Sequence, residues 1–240
     1  MQRSAIGVLV FGMVLWGCGP SRESTRLGPL PEPALETRAA RPVTPRPRPP
    51  VVEPPAPVEP QPAPAPRGWL PPGGIEPGRW KAIIVHHSAS RQATPQSMHR
   101  YHLLQRGWEN GLGYHFVIGN GVNYPDGEVY VGNRWSRQQT GAHCKTGAGR
   151  YLGTWRPENY FNEHAIGICL IGDFERERPT RAQLESLNRL LAFLCREAGI
   201  SADCVYGHGE VTHKTACPGR YLNMNSVRRE ARQAVVAGRL

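Results

Sequence analysis

Nineteen of the 24 prolines fall between Pro20 and Pro77, leaving five for the rest of the 240-residue chain. A stretch so rich in Pro, Ala, Arg and Glu, with almost no aromatics, cannot bury enough apolar surface to offset its ordering entropy. Residues 18–72 are therefore expected to be a disordered linker of polyproline character. At about 3.1 Å per residue, such a tether of roughly 55 residues reaches at most roughly 170 Å. The remainder, residues 73–240, is long enough for one domain with its own core.

The first 17 residues read as an export segment. Arg3 precedes an apolar run from Ala5 to Trp16, too short to span a membrane and suited to a signal-peptide core. The run ends Leu15-Trp16-Gly17-Cys18, which resembles a bacterial lipobox in which Cys18 is lipidated, although Trp16 departs from the usual small residue. The expectation is an exported, cell-envelope protein held to a membrane through a lipid on Cys18.

The formal charge is +10, and the first 67 residues hold eight Arg against five Glu, so about +7 belongs to the C-terminal part. A basic domain suits an anionic partner such as cell-wall polymer or a lipid surface. No nucleic-acid motif is present, and the aromatics do not interleave with a basic stripe, so nucleic acid is not expected. Apart from Cys18 and Cys217, four cysteines remain: Cys144, Cys169, Cys195 and Cys204. Cys195 and Cys204 flank an expected helix end and are open to either reading, a disulfide or buried thiols.

Periodicity outlines the domain. Lys81–Val85 and Ala165–Ile171 are continuous apolar runs, read as buried strands. Thr94-Pro95 caps a helix to about Gln105. Tyr114–Ile118 and Glu128–Val131, separated by NG and DG turn dipeptides, form a hairpin or meander. Arg137–Glu163, polar and glycine-rich, reads as a long surface loop. Thr180 and Gln183 make a capping box, and Leu184, Leu187, Leu190, Leu191 and Leu194 share one helical face until Gly199. A short strand at Cys204–Tyr206 leads into His208, and a last amphipathic helix covers about Asn223–Val236. The fold class is a single α/β domain with a central mixed β-sheet and about three flanking helices.

Two stretches carry chemistry: KAIIVHHSAS, with His86 and His87, and YGHGEVTHKTACPG, with His208 and Cys217. Two imidazoles and a thiolate make an open three-ligand zinc site of the hydrolytic kind. Side chains alternate along a strand, so His86 and His87 cannot both face that site. His102 is read as structural and His213 as solvated. Reading Cys217 as a nucleophile with His208 as its base leaves the HH pair unexplained.

The ordered motifs IIVHHSA, RGW, LGYHFVIG, DGEVYVGNRW, TGAH, AIGICLIGDF, GHGEV and TACPG resemble the type-2 amidase family across about Trp80–Tyr221. That family contains peptidoglycan-recognition proteins and phage lysozyme-type N-acetylmuramoyl-L-alanine amidases. The resemblance implies zinc on His86, His208 and Cys217, with peptidoglycan as partner. It implies catalytic roles for Tyr114 and for Thr215, the polar residue two before the cysteine. His87, Arg134 and His143 are candidate substrate contacts for an anionic muropeptide. The His208–Cys217 spacing is one residue longer than usual in recognition proteins, which leaves Lys214 as an alternative to Thr215. Asn110 stands near a usual aspartate, Cys169 stands where cytosolic relatives carry a glutamate base, and an insert separates TGAH from NEHAIG. Binding-only relatives lose the cysteine ligand; Cys217 is present here.

Overall fold

Strand β1, Ala82–His87, is the axis of the domain, and its first five residues are buried. The computed structural model describes residues 68–237. The export segment, Cys18 and the proline-rich stretch up to residue 67 lie outside the described residues. Strand β2 is Phe116–Ile118, β3 Val129–Val131, β6 Ala165–Leu170 and β7 Val205–Gly207. They form one mixed sheet in the order β3-β2-β6-β1-β7. β1 runs parallel to β6 and to β7, β2 runs parallel to β6, and only the β2–β3 hairpin is antiparallel. Parallel strands covered on both faces read as unbroken apolar runs, which is why β1 and β6 stand out in the sequence.

The period of two sorts β1 between two layers. Ile83 and Val85 join Phe116, Ile118, Ile166, Ile168 and Leu170 under helices α4, Arg181–Glu197, and α6, Met224–Ala237. Leu187, Leu190, Leu191 and Leu194 are fully buried there. Ala82 and Ile84 face the other way, packing with Cys144, Phe161 and Val211. On that same side helix α1, Pro95–Leu104, adds Met98 to Val117, Cys169 and Ile171. These are the three long helices expected. Short helices α2 (Asn133–Ser136), α3 (Tyr160–His164) and α5 (His208–Thr212) complete the set. Among the described residues no helix is long and apolar enough to cross a membrane.

Two expectations need correction. The core begins upstream of residue 73: Trp69 packs edge-on against Phe193 at 5.6 Å, and its carbonyl accepts the Trp135 Nε1 proton at 2.6 Å. The segment 137–163 is not a plain surface loop. It holds a hairpin, β4 Gly149–Tyr151 and β5 Thr154–Arg156, followed by α3. Leu152 and Gly153 both take positive φ (48° and 78°), the backbone of a tight primed turn. Tyr151 anchors the hairpin on Phe161 at 5.8 Å, while Arg150 and Trp155, directly opposite one another, are exposed.

Helix α4 begins at the expected capping box. The Thr180 oxygen accepts from Gln183 N–H at 3.0 Å, and Gln183 Oε1 accepts from Thr180 N–H at 3.1 Å. The Thr180 hydroxyl also donates to Asp126 Oδ1 at 2.6 Å, tying the helix start to the β2–β3 connection. Gln183, buried, donates to Ile171 O at 2.8 Å and so seals the end of β6. Replacing Thr180 with Ala is expected to lower unfolding free energy by about 1–2 kcal/mol. A urea midpoint unchanged from wild type at constant slope would show that the cap contributes nothing.

Candidate metal centre

Register sets the site. Val85 pairs with Gly207, so the next residues of β1 and of the β7–α5 junction, His86 and His208, emerge side by side. Both leave the carboxyl ends of parallel strands, where open α/β sheets place their ligands. His86 lies on the Ile84 face and is 1% exposed, whereas His87 follows Val85 onto the other face. Their ring centroids put His86 4.6 Å from His208. Cys217, in the loop after α5, brings Sγ to 3.8 Å from His86 Nδ1. The donor atoms of His86, His208 and Cys217 all lie within 4.8 Å of one another.

The loop that carries Cys217 is fastened from three sides. Gly209 N–H donates to Cys217 O at 2.6 Å, and Cys217 N–H donates to Thr215 Oγ1 at 3.1 Å. His87 N–H donates to Cys217 Sγ at 3.4 Å. A Cβ on Gly209 would come 2.4 Å from Thr215 O, so the second glycine of GHG is required by that close approach. Helix α5 is held in turn by Glu210, whose carboxylate accepts Gly207 N–H at 2.8 Å and both Arg228 amines at 2.8 and 3.0 Å. Burial pushes the Glu210 carboxyl up, but Arg228 and the Gly207 N–H outweigh it and hold the pKa below the usual value.

Burial also sets the protonation of the donors. His86 is pushed well below the usual histidine value by burial first and by the neighbouring His143 and His208 second. His208 is lowered, again mainly by burial. Both are neutral at pH 7 and keep lone pairs. Burial raises the Cys217 thiol to about 12, against the opposing pull of His87 N–H. The set suits zinc. Tetrahedral bonds of about 2.3 Å to sulfur and about 2.0–2.1 Å to imidazole separate such donors by about 3.6 Å. The 3.8 Å between Cys217 Sγ and His86 Nδ1 matches that span.

Tyr114 stands beside the donors, its ring centroid 5.1 Å from that of His86. Enclosure of its hydroxyl, then the nearby Cys169 and Cys217 thiols, push its pKa well above the usual value, so it stays a donor. It is placed by the loop that follows α1. His99 Nδ1 accepts Leu112 N–H at 3.3 Å and His102 Nδ1 accepts Gly113 N–H at 3.1 Å. His102 thus has the structural place expected of it. His99 went unrecognised in the sequence, although two histidines three apart on one helix face were the sign. Thr215 and Lys214 are both exposed, and the Thr215 oxygen is tied to the Cys217 loop. Cys169, level with His86 in the sheet, is buried, and its thiol is pushed well above its usual pKa by burial.

The three candidate substrate contacts all have partners within the protein. Arg134 is 6% exposed and spends its guanidinium on the Leu112 carbonyl, at 2.8 Å, and the Thr140 carbonyl. It braces the turn before Tyr114. His143 is 8% exposed, with its ring nitrogens 3.0 Å from His86 Nε2 and 3.1 Å from Ala165 O. Its pKa is held well below the usual value, by burial first and then by His115. His87 turns its Nδ1 to Phe174 N–H at 3.1 Å, away from the donor cluster, and supports the loop after β6. Among the described residues Cys144, Cys169, Cys195, Cys204 and Cys217 are free thiols. The insert hairpin reaches helix α5: Leu152 at its turn shares a shallow recess with Gly209, Glu210 and His213.

Known proteins share this arrangement of sequence and fold. A family model described as N-acetylmuramoyl-L-alanine amidase matches residues 76–220. The chain is 33% identical over 150 residues to peptidoglycan-recognition protein LB of Drosophila melanogaster, covering 58% of this chain and 55% of that protein. It is 31% identical over 174 residues to N-acetylmuramoyl-L-alanine amidase of Sus scrofa, covering 63% of this chain and 25% of that protein. The chain thus spans about half the length of the first relative and about a quarter of the second. Among solved structures, endolysine N-acetylmuramoyl-L-alanine amidase LysCS of Clostridium intestinale URNW matches with TM-score 0.51 at 28% identity, covering 64% of this chain and 84% of that one.

The protonation pattern has a measurable consequence. A thiol with a pKa of about 12 must give up its proton to bind a metal, while the neutral histidines give up none. Near pH 6.5, zinc uptake is therefore expected to release about one proton, with affinity rising about tenfold per pH unit. Calorimetry in buffers of different ionisation enthalpy reads this directly; uptake independent of pH would contradict it.

Proposed function

Because the chain belongs to the N-acetylmuramoyl-L-alanine amidase family, we propose that it is a zinc-dependent hydrolase of peptidoglycan. The bond cut is the amide between the lactyl group of N-acetylmuramic acid and L-alanine of the stem peptide. The observation that carries the reading is the complete donor set, with His86 Nδ1 turned to Cys217 Sγ at 3.8 Å and His208 beside them. A module that only bound the wall would have no use for a buried cysteine so placed.

When bound, the zinc ion supplies Lewis-acid polarisation of the amide carbonyl and a water acidic enough to attack at neutral pH. The rest falls to side chains. His86, His208 and Cys217 would hold the ion, and Tyr114 stands beside His86. Tyr114 keeps its proton because its surroundings disfavour phenolate, so it donates a hydrogen bond to the oxygen on which charge develops. Thr215, whose oxygen already accepts Cys217 N–H, keeps its own hydroxyl proton free for substrate or water. That assignment favours Thr215 over Lys214. By the same reading the protein works outside the cytoplasm, tethered by a lipid on Cys18 and by the proline-rich linker.

Mass spectrometry of a purified peptidoglycan digest tests this. Expected products are intact glycan strands and stem peptides with a free L-alanine amine. Tyr114→Phe is expected to slow their release by about 10²–10³ without loss of bound zinc. Cleavage between sugars or within the stem would overturn the amidase assignment. Tight wall binding with no release would favour a non-catalytic envelope module instead.

A further inference from the structure

Two hydrogen bonds fix where the protons sit on the imidazoles behind the metal site. His143 Nε2 lies 3.1 Å from Ala165 O, and since a carbonyl only accepts, that nitrogen carries the proton. A neutral imidazole protonated at Nε2 has its lone pair at Nδ1. His143 Nδ1 is 3.0 Å from His86 Nε2, so His86 must be the donor. His86 then carries its proton on Nε2 and keeps its lone pair on Nδ1. Nδ1 is the atom that lies 3.8 Å from Cys217 Sγ. The chain of bonds runs from the Ala165 carbonyl through His143 to His86 and ends at the nitrogen that faces the other two donors.

We propose that His143 is a positioning residue that selects the metal-binding tautomer of His86 and fixes the direction of its ring. It acts through His86 and not on substrate. The inference rests on the reading of His86 as a zinc ligand.

The surroundings of His143 are built for this task. Its N–H and that of Cys144 both donate to Asn162 Oδ1 at 2.8 Å, so one buried amide clamps the loop. The ring lies in a slot between Gly141 and Gly167, where a Cβ on either residue would come within 2.5 Å of it. A side chain at either position would push the ring out of line with His86. His115 closes the back of the slot, its centroid 5.6 Å away. Backbone groups assign that proton too: His115 Nδ1 accepts Gly167 N–H at 2.9 Å, and Nε2 donates to Gln139 O at 3.1 Å. His115 therefore offers His143 no competing partner. Metal-bound histidines commonly donate their second N–H to a carboxylate or a carbonyl. Here the acceptor is a neutral imidazole, which orients the ligand without adding negative charge behind the ion.

The test uses the full chain and two substitutions of similar shape. His143→Leu removes the acceptor; His143→Asn puts an amide oxygen about where Nδ1 was. Zinc affinity, measured by chelator competition, is expected to fall about 10–100-fold in the Leu variant and to recover largely in the Asn variant. Nitrogen-15 NMR of the metal-free wild type is expected to show His86 protonated at Nε2 alone, and the Leu variant a mixture of tautomers. The inference is overturned if the Leu variant keeps wild-type affinity, or if Leu and Asn weaken binding equally. The wild-type spectrum decides without any variant, since a proton on His86 Nδ1 contradicts the bond chain. Wild-type protein that takes up no zinc overturns the metal reading and this inference together. Zinc bound at wild-type strength with no amide cleavage overturns the reaction alone.

Discussion

Parallel pairing of β1 with β7 and β6 is the constraint on which the site depends. It levels Val85 with Gly207 and His86 with Cys169, so two histidines far apart in sequence leave the sheet as neighbours. The loop ending in Cys217 then has only to fold back over α5, which Gly209 permits by its lack of a side chain. Each donor therefore rests on backbone that the sheet has already ordered. Rigid support of this kind is what holds a metal site in one geometry.

The electrostatics arise from the same burial. Taking imidazoles out of water disfavours their charged form, so His86, His143 and His115 are held neutral and can be assigned single tautomers. The same burial raises the Cys217 thiol and opposes its ionisation. The pocket thus lowers the proton competition at nitrogen and raises it at sulfur. A divalent cation would resolve the conflict, because its charge favours the thiolate. Glu210 and Arg228 lie one layer out, pinning the helix that begins with His208 without placing a carboxylate against the donors.

Much of this was legible in the sequence where one physical signal dominated. β1 and β6 announced themselves as apolar runs, Thr180 and Gln183 as a capping box, and the donor set as His86, His208 and Cys217. What was not legible shares a cause. The strands Gly149–Tyr151 and Thr154–Arg156 are three residues each, too short for a period of two to rise above their polar composition. For Arg134, a candidate contact for an anionic stem, no local pattern reveals that its partners are carbonyls of a turn and a loop. For His143, likewise, no local pattern reveals that Gly141, Gly167 and Asn162 will enclose it. Tertiary contact, not local propensity, assigned those roles.

The proposed centre is one zinc ion on two imidazoles and one thiolate. X-ray absorption at the zinc edge, on the zinc-loaded full chain, measures that most directly. The expected result is a four-coordinate ion with a single sulfur at about 2.3 Å and the remaining nitrogen or oxygen atoms near about 2.0–2.1 Å. Two or more sulfurs would mean that a buried thiol such as Cys169 or Cys144 closes the site, and a shell of oxygens alone would place the ion elsewhere. Either result would rule out the proposed centre.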